Sequence, residues 1–281
     1  MQKQKKRSVA IAQIVISILA FFWVIPIIFV ILQSFRAEGG QFVSYFIPKQ
    51  WTFDNYAYLF TNNDGWNYGQ WFLNTLFVSI VAGSISTFLT IGVAYALSRL
   101  QFKLKGFYLR FALVIGMFPG FLSMISIYYI LKALNLTNSL WALIIMYSYG
   151  AALAFYVQKG FFDTIPQSLD ERAQIDGASR WQIFRKITLP IAKPIIVYTA
   201  LGAFTGPWMD FIFAKVVLGN NQDKWTVAVG LFTMVSAKEN ANALFMSFAA
   251  GSVMIAIPIT ILFIWLQRFF VEGVTAGSVK G

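Results

Sequence analysis

Residues 165–190 read IPQSLDERAQIDGASRWQIFRKITLP, a polar insert between two long apolar runs. The segment is too polar to cross a bilayer and too strongly patterned to be disordered. Pro166 suits the first turn of a helix, where its missing N–H costs nothing, and Ile165, Leu169 and Ala173 recur every four residues on one face. Gly177 is placed to end that helix in the left-handed conformation that glycine adopts most cheaply. Ser179 and Gln182 have the spacing of a capping box for a second helix. Along it Trp181, Phe184 and Ile187 share a face, with Arg180, Arg185 and Lys186 pointing elsewhere. Pro190 marks the exit into the next apolar run. The expectation is a small amphipathic helix-turn-helix, a shape suited to a groove on a soluble partner.

Working outward, six segments reach the roughly 20 apolar residues that a bilayer core requires of a helix. They run about 9–33, 71–98, 107–131, 139–161, 191–214 and 243–267, and Pro26, Pro119, Pro194, Pro207 and Pro258 fall inside or near their ends, so that four of the six are expected to be kinked. The start, MQKQKKRSVA, resembles the n-region of a signal peptide, but the following apolar run is long enough to span and no small-x-small cleavage site follows it closely, so it reads as an uncleaved first span. Of the 281 residues 58% are hydrophobic and 12% charged, against roughly 25% charged in an average soluble domain. The fold class expected is an all-α integral membrane protein with six transmembrane helices. It forms one transmembrane domain over 1–281, with a core at 71–267, the inserted loop at about 160–190 and a polar tail at 268–281.

The formal charge of +11 would suggest nucleic acid in a soluble protein, but the basic residues lie in short clusters between apolar runs, as membrane topology produces. With the N-terminus inside, 16 of the 22 Lys and Arg fall on the inner side, where the net charge is +11, and the outer side is neutral. Both termini are therefore expected in the cytoplasm, and no nucleic-acid partner. Cys and His are absent, which removes thiol nucleophiles, imidazole bases and the commonest zinc ligands. No metal site and no catalysis by this chain are expected. An outer loop from about Arg36 to Gln70 carries Trp51, Tyr56, Tyr58 and Trp66 and reads as an interfacial segment.

Within the insert, Glu171, Ala173, Asp176, Gly177 and Ala178, followed after eight intervening residues by Ile187, Leu189 and Pro190, resemble the EAA signature of ABC importer permeases. Arg172 stands where that motif has its first alanine. The resemblance continues over nearly the whole chain: FLNT at 72–75, AYALSR at 94–99, and PWMDFIFA at 207–214, where Met209 replaces an asparagine, look like sugar-type permeases. The tail LQRFFVEGVTAGSVKG is similar to the end of MalG-like subunits of maltose-type importers. The resemblance implies a type I ABC importer permease with a cytoplasmic coupling helix-turn-helix in a bacterial inner membrane. It implies as partners a second homologous, MalF-like permease, two ATPase subunits that use ATP and Mg, and an extracytoplasmic sugar-binding protein, besides membrane lipid. The absence of a G-x-x-x-x-G-K-[ST] phosphate loop agrees that ATP is handled elsewhere, so this chain holds no cofactor.

Asp210 is the one carboxylate inside an expected span and so a candidate for the solute pathway; Asn74 and Tyr128 are milder polar candidates, which more often bond a neighbouring helix. Gly116 with Gly120, and Gly202 with Gly206, have the spacing of close helix packing. The stretch VSAKENAN at 235–242 reads either as a solvated turn or, by the resemblance, as a segment entering the binding protein's cleft. The tail is implied to reach the ATPase pair. Competing classes are an ion-gradient-driven secondary transporter, which calls for buried acids or an internal repeat, and a signalling subunit. Within the ABC class, alginate-type acidic oligosaccharide is the alternative cargo, against which the neutral outer side argues.

Overall fold

A computed structural model gives the architecture and describes residues 2–40, 45–62, 64–148, 154–236 and 241–278. Among these residues the regular elements are helices. In chain order they are α1 (Gln2–Ser34), α2 (Asp54–Thr61), α3 (Tyr68–Arg99), α4 (Lys105–Gly116), α5 (Gly120–Ala133), α6 (Leu140–Ser148), α7 (Ala154–Thr164), α8 (Gln167–Ile175), α9 (Arg180–Ile191), α10 (Lys193–Met209), α11 (Ile212–Leu218), α12 (Val227–Ser236) and α13 (Phe245–Ser278). The all-α architecture expected from the sequence stands, and each of the six apolar runs is helical.

Three runs are single helices, α1, α3 and α13, and each holds a stretch long and apolar enough to cross a membrane. Of the other three, the third and fifth depart from the continuous spans expected. The third divides into α4 and α5 around 117–119, because Pro119 has no N–H to give and sits at ψ 122, outside the helical region. The fourth is made of α6 and α7, with 149–153 outside the described residues. The fifth divides into α10 and α11 at Asp210, whose ψ of 110 takes the backbone out of the helix three residues beyond Pro207. Helix α1 starts at Gln2 rather than near residue 9, and α13 continues to Ser278 instead of giving way to a separate polar tail after 267. Once a long helix is nucleated, each added residue costs little, so polar ends are carried along.

The chain clusters into two compact units, Met1–Gly69 with Gly230–Ile257, and Gln70–Val229 with Pro258–Gly281. In the first unit the end of α1 is tied down by polar groups. Asn55 donates to the carbonyls of Ser34 and Arg36, Ser34 meets the Tyr56 hydroxyl at 2.7 Å, and the buried Arg36 donates to the carbonyls of Glu38 and Gly40. An antiparallel bridge pairs Arg36 with Trp51. The carbonyls that α1 leaves unpaired at its C-terminus thus find partners at the foot of the outer loop. Helix α2 lies in the segment expected to be interfacial.

In the second unit α3 and α10 approach closely at Gly83, where a Cβ would lie 3.4 Å from the Phe204 backbone. The glycines singled out by spacing do not do this: a Cβ at Gly120, Gly202 or Gly206 would meet nothing within 4 Å. A core of Ile91, Ala94, Leu97, Phe155, Phe162, Ile165 and Ala192 joins α3 to α7 and to the start of α10.

Gly251 is a packing requirement of the first unit. A Cβ there would stand 2.7 Å from Leu231 Cδ2 and 3.0 Å from Tyr68 Cε2, and Tyr68 is held in place because its hydroxyl donates to the Gly251 carbonyl at 2.9 Å. Gly251→Val is expected to overpack this contact and destabilise by about 1–3 kcal/mol. The measurement is the thermal unfolding midpoint of the detergent-purified subunit, and an unchanged midpoint would contradict the packing described.

Candidate functional site

The insert folds as two helices, as its sequence implies. Helix α8 ends in a Schellman motif: the Ala178 N–H donates to the Ala173 carbonyl at 2.9 Å and the Gly177 N–H to that of Gln174 at 3.0 Å. Gly177 has φ +81, and a Cβ there would meet nothing within 4 Å, so the demand for glycine is conformational and not steric. Helix α9 opens with the full capping box, Ser179 N–H to Gln182 Oε1 at 2.7 Å and Gln182 N–H to Ser179 Oγ at 3.3 Å. Two details differ from the sequence reading. Pro166 stands just before α8, as its N-cap residue, and Pro190 lies within the last turn of α9. The turns at Phe184–Thr188 are widened to i→i+5 bonding; this accommodates Pro190, whose ring clashes with the carbonyl four residues back in a regular helix. The chain then bends by 79° between α9 and α10.

One side of this helix-turn-helix is packed and the other is open. Ala173 and Ile183 are buried, and Ile187 and Leu189 are partly so. The Phe184 ring lies 4.5 Å from that of Tyr95 on α3. Ile183, not Trp181, therefore anchors α9, because the buried stripe is rotated from the face that spacing alone suggested. Glu171, Asp176 and Gly177 are exposed, Ala178 is half-buried and Pro190 is exposed. Two large apolar side chains project outward, Ile175 at 84% exposure and Trp181 at 63%. Between the helices a hollow of about 330 Å³ is lined by Asp176, Gln182, Ile183, Lys186 and Ile187.

Polar contacts fasten the loop to α3. Arg99, the last residue of α3, donates to the Ile165 carbonyl at 2.8 Å, and its Nε lies 3.4 Å from Asp170 Oδ2. Ser98 donates to Asp163 at 2.6 Å, and Lys159 reaches the other oxygen of that carboxylate at 2.6 Å. Partial burial disfavours the Asp163 anion, but hydrogen bonds from Lys159 and Ser98 and the nearby charges of Lys159 and Lys105 outweigh it, holding the carboxyl below the usual aspartate range.

A cavity of about 700 Å³ opens between α3, α7, α10 and α13. Its polar groups include Ser86, Thr90, Tyr147, Gln158, Thr199 and Thr205, and among the described residues lining it none is charged. Gln158 is 2% exposed; its Nε2 donates to Thr199 Oγ1 at 2.6 Å, and Thr199 passes its own proton to the Ile195 carbonyl. The three pathway candidates do not line this cavity. Asn74 is buried and donates to the carbonyls of Asp223 and Trp225, so it clamps the loop 222–225. Tyr128 packs its ring edge-on against Tyr129. Asp210 accepts from the Tyr147 hydroxyl at 2.5 Å and from the Phe213 amide at 3.0 Å, capping α11; only its partner Tyr147 faces the cavity. Thr199 and Thr205 were missed because hydroxyls in an apolar helix satisfy themselves on the preceding turn and give no sequence signal, and Gln158 because its partner Thr199 lies 41 residues away. Of the stretch 235–242, residues 237–240 lie outside the described residues, as do 279–281 of the tail.

The sequence matches the family described as "Binding-protein-dependent transport system inner membrane component" over residues 86–276. It is 36% identical over 269 residues to the galactooligosaccharides transport system permease protein GanQ of Bacillus subtilis, covering 95% of this chain and 94% of that one. It is also 36% identical over 257 residues to the maltodextrin transport system permease protein MalD of Streptococcus pneumoniae, covering 91% and 90%. The fold is similar to that of a chain in the crystal structure of a bacterial ABC transporter involved in the import of the acidic polysaccharide alginate, with a TM-score of 0.73, 23% identity, and coverage of 93% of this chain and 95% of that one.

The Asp163 cluster predicts a pH signature. Because the folded-state carboxyl titrates below its unfolded value, near 4, its contribution to stability is complete above that value and is lost as pH falls through the folded one. Wild type should therefore exceed Asp163→Asn in thermal stability at neutral pH, with the gap closing in acid below about pH 4. A gap that is constant with pH would show that the charge plays no part.

Proposed function

The chain belongs to the binding-protein-dependent transport system inner membrane component family, and from that premise we propose how its loop and its cavity divide the work of import. It is a MalG-like permease subunit of an ABC importer for sugars or oligosaccharides, a multi-pass membrane protein that works with a partner permease, an ATPase and a binding protein. It is not an enzyme, and the ATPase is a separate subunit. The ion-gradient transporter considered above is set aside by this membership. The matched residues run through parts of both compact units, which supports treating the chain as one permease domain.

In this proposal the partner permease is MalF-like, two ATPase subunits bind ATP and Mg, and α8 and α9 dock onto them from the cytoplasmic side, with both termini on that side. The observation that carries the reading is the two-faced build of the loop: Ile183 and Ala173 buried against the permease, Ile175 and Trp181 turned outward with the Glu171 carboxylate beside them. Large apolar groups left exposed on a rigid helix pair mark a protein contact. Ala178, Ile187, Leu189 and Pro190 shape that pair rather than touch the partner. The uncharged cavity, with hydroxyls, an amide and tyrosine rings, supports neutral oligosaccharide as the cargo over an acidic one. Asn74 and Asp210 hold the surrounding loops and helices, and Tyr128 packs on its neighbour Tyr129.

Reporter fusions after Gly106 and after Lys159 are expected to report cytoplasm, and one after Asn221 the outside; the opposite signal at the last site would reverse the orientation. Docking is tested by Glu171→Ala and Gly177→Leu in the reconstituted transporter. Loss of a shielded, charge-assisted bond costs about 1.5–3 kcal/mol, and a Cβ held at positive φ about 1–2 kcal/mol. Both variants are expected to insert and pair normally yet to lose sugar-stimulated ATP hydrolysis and uptake, with the affinity of the binding protein for sugar unchanged. Full stimulation in both would remove the loop from coupling.

A further inference from the structure

The loop is joined to the membrane-spanning part at two very different places. At one end it continues into α10 through the bend at Ala192. At the other, the junction between α7 and α8 is two residues, Ile165 and Pro166; Pro166 sits at ψ 130, outside the helical region, and disfavours helical geometry at Ile165. Arg99 reaches that junction from the end of α3. Its Nη2 donates to the Ile165 carbonyl, and its Nε faces Asp170 in the first turn of α8. The two side chains are only 5% and 14% exposed, so this is a pair held largely out of water.

Such a pair is a poor device for stability, because desolvating both charges offsets most of their attraction. The pair is also incompletely closed. At 3.4 Å the Nε contact is longer than the roughly 2.7–2.9 Å of a charge-assisted hydrogen bond, Arg99 Nε and Asp170 Oδ1 have no hydrogen-bond partner among the described residues. Half an ångström or so of movement of α8 relative to α3 would tighten or release it. Its neighbour Ser98 makes a shorter bond, to Asp163 at the end of α7. The last two residues of α3 thus hold α7 and α8 with unequal firmness, a short bond to the spanning helix and a loose ionic one to the docking helix.

We infer that Arg99 is a positioning residue for transport: through Asp170 and the Ile165 carbonyl it ties the docking helix α8 to α3, so that ATPase-driven displacement of the loop moves the wall of the cavity that α3 carries. This rests on the docking role given to the loop above. Ser86 and Thr90, three and two turns back along α3 from Arg99, line that cavity. Arg99 touches neither sugar nor nucleotide in this scheme. Its removal should separate hydrolysis from movement of solute without abolishing either binding event.

The test uses the complete reconstituted transporter and measures sugar carried per ATP hydrolysed, a ratio that a simple loss of folded protein does not change. Arg99→Gln and Asp170→Asn are each expected to lower it by about fivefold or more, the scale of ordinary coupling between sites. The double variant should be no worse than either single one, because both remove the same link. Arg99→Lys, which keeps the charge but not the two-pronged donor geometry, should fall between. Because the chain has no cysteine, a single Cys at Ile175 can report by cross-linking whether the loop still sits on the ATPase. Cross-linking that persists with a lowered ratio supports the inference. An unchanged ratio in Arg99→Gln or Asp170→Asn overturns it, and it does so without harm to the docking reading if Gly177→Leu still abolishes stimulation. Full stimulation in Gly177→Leu together with an unchanged ratio in Arg99→Gln and Asp170→Asn would instead take the docking reading down as well. If Arg99→Gln does not assemble while Asp170→Asn transports normally, Arg99 is a folding residue and the inference is wrong.

Discussion

In hydrocarbon, a helix that breaks leaves amides and carbonyls that no water can reach, so a break persists only where side chains or a cavity take up the freed groups. The second unit of this chain is arranged around that constraint. Where α10 gives way to α11, Asp210 accepts the Phe213 amide that the broken ladder exposes, and its second oxygen takes the Tyr147 hydroxyl from α6. One carboxylate thus closes a helix end and pins two helices together. An acid within a span is costly unless it is paired in this way, and the pairing is what makes the break affordable. The break in turn lets α11 depart from the line of α10.

The helix pair of α8 and α9 follows the opposite strategy, since it takes its order from caps. A Schellman motif, a capping box and one glycine at positive φ fix the angle between α8 and α9. Each contributes about 1 kcal/mol or less alone. Together they leave the backbone between residues 175 and 182 little freedom, so a force on α8 is felt by α9. Burial of Ile183 and the contact of Phe184 with Tyr95 then relate that rigid pair to α3.

How much of this was legible in the sequence depends on whether the signal was local. The caps at Gly177 and Ser179 were, because a φ requirement and a three-residue spacing are properties of a few neighbours. So were the six apolar runs, since length and hydropathy suffice to define them. The breaks were only partly legible: Pro119 marks one, but nothing near Asp210 in the sequence distinguishes a cap on its own helix from a group facing solute. Asn74 was no more specific, since its partners at 223 and 225 lie about 150 residues away in sequence. The glycine pairs failed because spacing tells which residues share a face, not what that face meets; Gly83, with no partner glycine, is where the backbones approach.

Helix α10 is where the two functional parts meet physically. Its first residues follow Ala192, which is fully buried in the core that also receives Phe162 and Ile165 from the foot of the loop. Farther along, Tyr198, Thr199, Gly202 and Thr205 line the cavity. The helix is 17 residues long, about 25 Å at 1.5 Å per residue, and has no break between these two ends. A rotation imposed where α9 turns into α10 would therefore be carried along the helix to the cavity wall, with one missing backbone bond at Pro207, and Gly202 and Gly206, which meet nothing within 4 Å of a Cβ, leave that wall room to move. At the far end the helix stops at Asp210, whose bonds to Tyr147 and Phe213 resist displacement. Motion entering from the loop is thus taken up between a driven end and a held end, and the residues between them are the ones that line the cavity.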